Sequence, residues 1–239
     1  KFMNIFFYAT FPNQDEFLKL LKKKFKAHKI FTINDNIKLE KIDVALVWKI
    51  PDKILKKLTN LKIIFSLGAG VDHILKLSNY KKTPIIRIQD KNMRVRMLNH
   101  VLSQILNYQL KLTDYYIAQN KKIWLDERYT ALNKELTIGI LGLGYIGGYV
   151  ANKLKSLGYN VIGYKNSTKN SNLSIPIYYK KSLKNFLELS NIVVSILPAT
   201  KKTDNMMNKS FFMQMKKKSL LINIGRGSAL NELDLLAHI

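Results

Sequence analysis

Short apolar runs rich in β-branched and aromatic residues alternate along the chain with longer segments of helical hydrophobic spacing. In the first part of the chain, the runs MNIFFYAT, KIFTI, DVALVW, LKIIFSLG and TPIIRI have the composition of buried strands. Between them, segment 14–27 has one apolar stripe and a candidate N-cap, Asn13, and is the clearest predicted helix. Strands that alternate with helices predict an α/β fold with parallel sheets and crossover helices.

A long helical pattern from about residue 96 to residue 122 separates this series from a second one. It carries too many apolar side chains between Leu98 and Leu112 for an exposed linker, so we expect it to leave one domain and pack against the next. The second series contains predicted strands LTIGILG, YNVIGY, NIVVSILP and SLLINIG, with predicted helices at 146–156, 182–189 and 210–215. The pattern therefore predicts two doubly wound parallel-sheet domains, at residues 1–97 and 98–239.

The chain is strongly basic, with a net charge of +24 over 239 residues. One interpretation is nucleic-acid binding through phosphate contacts. Lysine supplies most of the charge and is spread over nearly every predicted helix without an interleaved aromatic stripe, which favours a generic solvated surface. We therefore expect no nucleic-acid partner, but a positive surface that would steer an anionic ligand.

Composition excludes several kinds of chemistry. The chain has no cysteine, which excludes disulfides, thiol catalysis and cysteine-ligated metal sites. Four histidines, His28, His73, His100 and His238, are scattered without ligand spacing, and we expect no metal site. No apolar run approaches the roughly 20 residues needed to cross a bilayer, and no signal pattern opens the sequence. We therefore expect a soluble, cytoplasmic protein with no membrane partner. Since 47% of the residues are hydrophobic, the chain can bury a sizeable core.

A G-x-G-x-x-G motif is formed by Gly142, Gly144 and Gly147. It follows an apolar run directly and opens a predicted helix, which is the context of a dinucleotide-binding turn. In such a turn the first glycine permits the bend, the second lets the backbone approach the pyrophosphate, and the third allows close helix–strand packing. The intervening residues complete this predicted part of the cofactor site, and they are Leu143, Tyr145 and Ile146.

The end of the next predicted strand selects the dinucleotide, because an acidic residue there would hold the ribose 2′-hydroxyl of NAD. The sequence GYKNSTK has no carboxylate, so Lys165, Asn166, Ser167 and Lys169 are predicted to accommodate the 2′-phosphate of NADP(H). Alternatively, Lys165 and Lys169 are simply solvated lysines, and NAD(H) is the second choice of cofactor.

In the first predicted domain, Gly68, Ala69 and Gly70 lie between a predicted strand and a predicted helix, in FSLGAGVDHIL. Small residues there expose consecutive backbone N–H groups, which form a nest suited to a carboxylate. The alternative is an ordinary tight turn.

Five segments together resemble the D-isomer-specific 2-hydroxyacid dehydrogenase family. They are LGAGVD, NHVLSQILNYQLKLTDYY, GILGLGYIGGYVA, SILPATKKTDNMMN and LLINIGRGSALNELDLL, in that family's order and spacing over essentially the whole chain. Val47 and Trp48, before a proline-containing helix, add a similarity to the glyoxylate/hydroxypyruvate reductase A branch. The resemblance implies a flavodoxin-like substrate-binding domain and a Rossmann NAD(P)-binding domain that is incomplete at its C-terminal end.

The resemblance also implies a reaction, the NADPH-dependent reduction of a small 2-oxo acid such as glyoxylate or hydroxypyruvate. Backbone groups of Ala69, Gly70 and Val71 would bind the substrate carboxylate beside Trp48. Arg226 would bridge the carboxylate and the carbonyl oxygen of the substrate, a task that suits its planar fork of donors. Further residues implied around the cofactor are Leu197, Pro198, Thr203, Ile224, Gly225 and Gly227. A homodimer that pairs through the long helix region is implied as well.

The sequence departs from the family pattern after Arg226. There the family has a glutamate and then a histidine that act as the acid–base pair, and the given residues end at Ile239 before either. Of the four histidines only His73 lies near the nest, and a helix-start residue is its simpler interpretation. The missing glutamate–histidine pair and the opening KFMN together predict a fragment that is inactive alone, with the activity in a longer parent. Asn99 and His100 replace the family's common glutamate followed by an aromatic residue or histidine.

Two alternatives to an enzyme remain. The first is a non-catalytic dinucleotide-binding relative, either a sensor or corepressor or a degenerate fragment. Arg226 and the nest favour the enzyme, because a sensor needs no clamp for a 2-oxo acid. The second alternative is a basic nucleic-acid partner, which predicts a steep salt dependence of DNA retention.

Overall fold

The computed structural model describes residues 2–126, 129–166 and 173–239. The chain divides into two compact units, Lys1–Asp90 and Lys91–Ile239. The division falls seven residues before the predicted one at residue 97, at the start of a helix instead of inside it.

The first unit is built on one parallel sheet. Its strands are β1 (Asn4–Tyr8), β2 (Lys29–Phe31), β3 (Val44–Val47), β4 (Ile63–Ser66) and β5 (Ile85–Arg87), and its helices are α1 (Gln14–Lys24), α2 (Asp52–Leu55) and α3 (Asp72–Leu75). The strand order is β2-β1-β3-β4-β5, and every neighbouring pair is parallel. This is the 2-1-3-4-5 order of flavodoxin-like folds, which confirms the predicted fold class.

Both faces of the first sheet are buried, which explains why its strands are continuous apolar runs instead of alternating ones. Along β1, Phe6 joins one core cluster with Ile42 and Ile64. Ile5 and Phe7, on the opposite face, belong to a second cluster.

Helix α1 is shorter than the predicted helix and lacks the predicted cap. It ends at Lys24, three residues before the predicted end. Asn13 occupies the N-cap position, but its backbone is left-handed, with φ of 62°, and its side chain accepts no hydrogen bond from the helix. Two acidic residues in the first turn and lysines in the last turn complement the helix dipole instead.

The second unit is also built on one parallel sheet. Its strands are β6 (Thr137–Leu141), β7 (Asn160–Lys165), β8 (Ile177–Tyr179), β9 (Ile192–Ser195) and β10 (Leu220–Asn223). Its helices are α4 (Lys91–Leu110), α5 (Leu112–Asn120), α6 (Tyr145–Ser156), α7 (Leu183–Leu189), α8 (Lys209–Met213) and α9 (Glu232–Leu236). The strand order β10-β9-β6-β7-β8, all parallel, is that of the first five strands of a Rossmann fold.

Strand β8 was not predicted. It has only three residues, Ile177, Tyr178 and Tyr179, and pairs with the end of β7 from Gly163 to Lys165. A run this short has no measurable period, which is why the pattern of apolar residues did not reveal it.

The predicted long helix is two helices. α4 begins at Lys91, earlier than predicted, and α5 begins at Leu112. Between them Lys111 has a left-handed backbone, with φ of 58°, and its Nζ lies 4.7 Å from the centroid of the Tyr108 ring. α4 buries Leu98, Val101 and Ile105 in a core cluster of the second unit, as expected for a helix that packs on this domain. Among the residues described, no helix has the length and apolar character that crossing a membrane requires.

Candidate functional site

The loops that follow β6, β9 and β10 meet at the carboxyl edge of the second sheet. The N–H of Ile196 donates to the carbonyl oxygen of Leu141 at 2.8 Å, and the N–H of Ile224 donates to that of Ser195 at 3.0 Å. The glycine motif, the Leu197 loop and the arginine loop are therefore neighbours. This edge is where open α/β sheets bind their ligands.

The glycine motif has the backbone of a phosphate-binding turn. Gly142 has φ of 104°, which residues with side chains rarely adopt. Gly147 packs so closely on the carbonyl oxygen of Gly142 that even a methyl group there would overlap it. A side chain at Gly144, in contrast, would meet nothing within 4 Å, so the backbone before α6 is open to an approaching group.

The other residues of the motif have different surroundings. The Leu143 side chain packs against β7, with Cδ1 2.5 Å from the position that a Cβ would occupy at Gly163. Tyr145 and Ile146 are the first two residues of α6. N–H groups in the first turn of a helix have no acceptor within the helix, so these two residues add donors beside Gly144.

Thr203 shapes the loop that follows β9. Its side chain is buried, its Oγ1 donates to the carbonyl oxygen of Pro198 at 2.5 Å, and the N–H of Thr200 donates to it at 2.9 Å. Leu197 is buried and Pro198 is exposed. The Thr203 hydroxyl therefore holds the loop in place, and its own hydrogen bonds lie within the protein.

Asn223 braces the turn that carries the predicted catalytic arginine. Its Oδ1 accepts from the N–H of Gly225 at 3.2 Å, and its Nδ2 donates to the carbonyl oxygen of Arg226 at 3.3 Å. A Cβ at Gly225 would lie 2.6 Å from the carbonyl oxygen of Leu197, so this turn presses against the neighbouring loop. The half-buried Arg226 is thus fixed at the same sheet edge as the glycine motif.

The residues predicted to select the cofactor are only partly described. Lys165 ends β7, and the exposed Asn166 follows it with its Oδ1 3.4 Å from the Tyr164 hydroxyl, which donates to the carbonyl oxygen of Lys180 at 3.0 Å. Burial raises the pKa of Tyr164, so its hydroxyl stays protonated and able to donate. Ser167 and Lys169 lie outside the described residues.

In the first unit, the predicted nest lies at the carboxyl edge of the sheet. Gly68, Ala69 and Gly70 follow β4 directly, and Val71 is the N-cap residue of α3. Trp48 follows β3, and its ring is so close to Gly68 that a side chain there would overlap it. The structure therefore brings the four predicted substrate-binding residues of this unit together.

A hydrogen-bond network beneath the nest was not predicted. His73 Nδ1 accepts from the N–H of Lys49 at 3.2 Å, which leaves Nε2 of the neutral ring as a donor to Ser66 Oγ, 3.2 Å away. Ser66 Oγ in turn lies 3.1 Å from the carbonyl oxygen of Gly68 and 3.2 Å from that of Gly70. His73 therefore braces the turn through Ser66, a polar residue that ends an apolar run.

Two further residues at these sheet edges were not predicted from the sequence. Arg87 ends β5, and its Nη1 donates a long hydrogen bond of 3.4 Å to the carbonyl oxygen of Ala69. Asn223 ends β10 and braces the arginine turn, as described above. The signal available for both was a polar residue at the last position of an apolar run, where parallel strands deliver side chains to the ligand edge.

The Rossmann strand order and the glycine turn at its centre define a dinucleotide-binding protein. The sequence profile of the D-isomer specific 2-hydroxyacid dehydrogenase NAD binding domain matches residues 102–239. A glyoxylate/hydroxypyruvate reductase A from Photorhabdus laumondii is 32% identical over 246 residues, which cover 99% of this chain and 77% of that protein. The chain belongs to the D-isomer-specific 2-hydroxyacid dehydrogenase family, as its motifs predicted.

Solved structures of the family have the same fold. The NADPH-dependent glyoxylate/hydroxypyruvate reductase from Sinorhizobium meliloti, in complex with NADP and sulfate, is 28% identical, with a TM-score of 0.86. A D-isomer specific 2-hydroxyacid dehydrogenase from Xanthobacter autotrophicus, in complex with NADPH and MES, is 26% identical, with a TM-score of 0.89. Each match covers 98% of this chain and 76% of the other.

Proposed function

We propose that these residues belong to an enzyme that uses NADPH to reduce a small 2-oxo acid, glyoxylate or hydroxypyruvate, to the 2-hydroxy acid. The observation that carries the proposal is the braced Gly225–Arg226 turn beside the glycine motif. A protein that only sensed the dinucleotide would need the glycine motif but not this arginine.

The proposed roles follow from the chemistry of the substrate. Hydride transfer to the carbonyl carbon places negative charge on the carbonyl oxygen, and a fixed guanidinium stabilises that charge as it develops. The other arm of the Arg226 fork would bind the carboxylate of the substrate, so that the guanidinium bridges the carboxylate and the carbonyl oxygen. Within the first unit, the backbone N–H groups of Ala69, Gly70 and Val71, with Trp48 beside them, form the proposed carboxylate-binding nest.

NADP(H) is the proposed cofactor, with NAD(H) as the alternative. Supporting it, no carboxylate follows β7 in GYKNSTK, and Lys165 lies at the end of that strand. Both family structures described above are complexes with NADP or NADPH. The bound cofactor would supply the hydride, while Leu197, Pro198, Ile224 and Gly225 would line its site.

The proposal concerns a protein that also carries a proton donor. In the family, the histidine that protonates the carbonyl oxygen and the glutamate that tunes it come after the position of Arg226, and residues 227–239 contain no such pair in the family's pattern. We therefore expect the 239 residues alone to bind the cofactor without turnover. A cytoplasmic location, predicted from the sequence, is part of the proposal.

The homodimer is proposed on the surface of α5 and the residues after it. Five large apolar side chains there are exposed, and they are Leu112, Tyr116, Ile117, Ile123 and Trp124. Trp124 is 90% exposed, although tryptophan is usually well buried. Several exposed apolar side chains on one short segment favour a protein–protein contact there.

The intact mass of the protein isolated from its source, followed by an assay of NADPH oxidation, tests the proposal. For a protein with the glutamate and histidine, we expect turnover of glyoxylate or hydroxypyruvate. Arg226→Ala should lower kcat/KM by about a hundredfold or more, while Arg226→Lys should retain part of the activity. Binding of NADPH without turnover in such a protein would instead support the non-catalytic relative.

A further inference from the structure

Arg94, in the first turn of α4, has its guanidinium beside two tyrosines of α6. Its Cζ lies 4.5 Å from the centroid of the Tyr149 ring and 5.2 Å from that of Tyr145. Both rings are half-buried and lie one helical turn apart. Cation–π contacts of this kind orient an arginine without using any of its N–H donors.

The hydrogen bonding of this side chain is incomplete. Its Nε is buried and has no hydrogen-bond partner among the described residues. An unsatisfied buried donor is costly and requires an explanation, and an ion or ligand beside the group is one such explanation.

The location of Arg94 indicates the kind of ligand. Tyr145 directly follows Gly144, where the backbone is open, so the guanidinium lies beside the first turn of α6. The motif from Gly142 to Gly147 offers N–H donors to a pyrophosphate but contains no positively charged residue. A guanidinium matches phosphate oxygens with paired donors and supplies the missing charge.

We propose that Arg94 binds the pyrophosphate of the dinucleotide from outside the glycine motif, oriented by Tyr145 and Tyr149. This inference rests on the proposed function, because it assumes a dinucleotide at the glycine motif. It makes α4 a part of the cofactor site as well as a packing helix.

The test measures NADPH and NADH binding to the 239-residue chain by nucleotide fluorescence. Arg94→Met removes the charge and keeps an unbranched stem against the tyrosines. Arg94→Lys keeps the charge without the planar fork. Arg96→Met is the matched control, because Arg96 is exposed on the same helix. Thermal unfolding of each variant without nucleotide shows whether the fold is retained, and if Arg94→Met does not fold, Arg94→Lys provides the measurement.

We expect Arg94→Met to weaken the binding of NADPH and of NADH by the same factor, about tenfold to a hundredfold, since both nucleotides contain the pyrophosphate. Arg94→Lys should lose a smaller factor, and Arg96→Met should bind like the unaltered chain. Unchanged binding by the Arg94 variants would overturn the inference and leave the proposed function intact. A loss of binding confined to NADPH would also overturn the inference, because it would place Arg94 at the 2′-phosphate. An equal loss of binding in Arg96→Met would overturn it as well. If the unaltered chain binds neither nucleotide, the proposed function and this inference both fail.

Discussion

Replacing Gly147 by alanine should destabilise the protein, although alanine is normally the better residue inside a helix. In an unconstrained helix the change would gain about 1 kcal/mol. Here the new methyl group would overlap the carbonyl oxygen of Gly142 and would also lie 3.6 Å from Ile140 Cγ2. Overpacking of this kind costs about 3 kcal/mol when backbone must move, so we expect a net loss of about 2 kcal/mol.

Gly148 provides a matched control in the same helix. A Cβ there would meet only the Leu173 methyl groups, at 3.7 Å, which is ordinary van der Waals contact. Gly148→Ala should therefore stabilise the protein by about 1 kcal/mol, so the two alanine variants should differ by about 3 kcal/mol.

Urea unfolding followed by circular dichroism would rank the midpoints, with Gly148→Ala highest, the unaltered chain next and Gly147→Ala lowest. NADPH titration should show a further loss in Gly147→Ala, because relief of the overlap displaces Gly142 from the turn. Equal midpoints for the two alanine variants would refute the argument that packing of helix on loop requires a glycine at position 147.

Three other perturbations test other parts of the structure. Tyr159→Phe should cost about 1–2 kcal/mol at neutral pH, because the buried Gln109 Oε1 loses the hydroxyl that donates to it at 2.7 Å. Burial raises the pKa of Tyr159, so its contribution is present below pH of about 10 and is lost at higher pH. The variant should therefore show a shallower alkaline decline in urea midpoints, and a decline as steep as before would contradict this. In fluorescence titrations, Lys165→Ala should weaken the binding of NADPH about tenfold and leave the binding of NADH unchanged. An equal loss of affinity for both nucleotides would argue against a 2′-phosphate contact. Asn223→Ala should lower the thermal midpoint by an amount equivalent to about 1–2 kcal/mol, since two hydrogen bonds of the arginine turn disappear, and an unchanged midpoint would show that they contribute nothing.

Sequence patterns predicted the fold class, the glycine motif and nine of the ten strands found in the described residues, because each depends on local composition. Buried parallel strands are continuous apolar runs, and the first glycine of the motif is required by a backbone angle. Strand β8 was missed because its three residues belong to the sheet only through their pairing with β7.

Backbone turns were harder to predict because lysine occupies positions that usually hold glycine. Among the described residues, eight residues other than glycine have a positive φ, and six of these are lysines, including Lys49 and Lys111. Lysine gives no turn signal in a sequence where it is abundant, so the break between α4 and α5 was not predicted.

The side-chain networks could not be predicted for a different reason. His73 and Ser66 are seven residues apart, and Arg94 is separated from Tyr145 by several secondary-structure elements. Their contacts depend on how the elements pack, which periodicity does not record. In both cases the residue types were visible in the sequence, but their partners were not.

The left-handed turn at Lys111 divides one continuous helical pattern into two segments under different evolutionary constraints. α4 buries Leu98, Val101 and Ile105, so substitutions along it are limited by the core. α5 buries only Ala118, so its other side chains can change with little effect on folding. A lineage could therefore lose or remodel the outward surface of α5 while the neighbouring domain kept its architecture. Among relatives that do not form the proposed homodimer, α5 should diverge faster than α4.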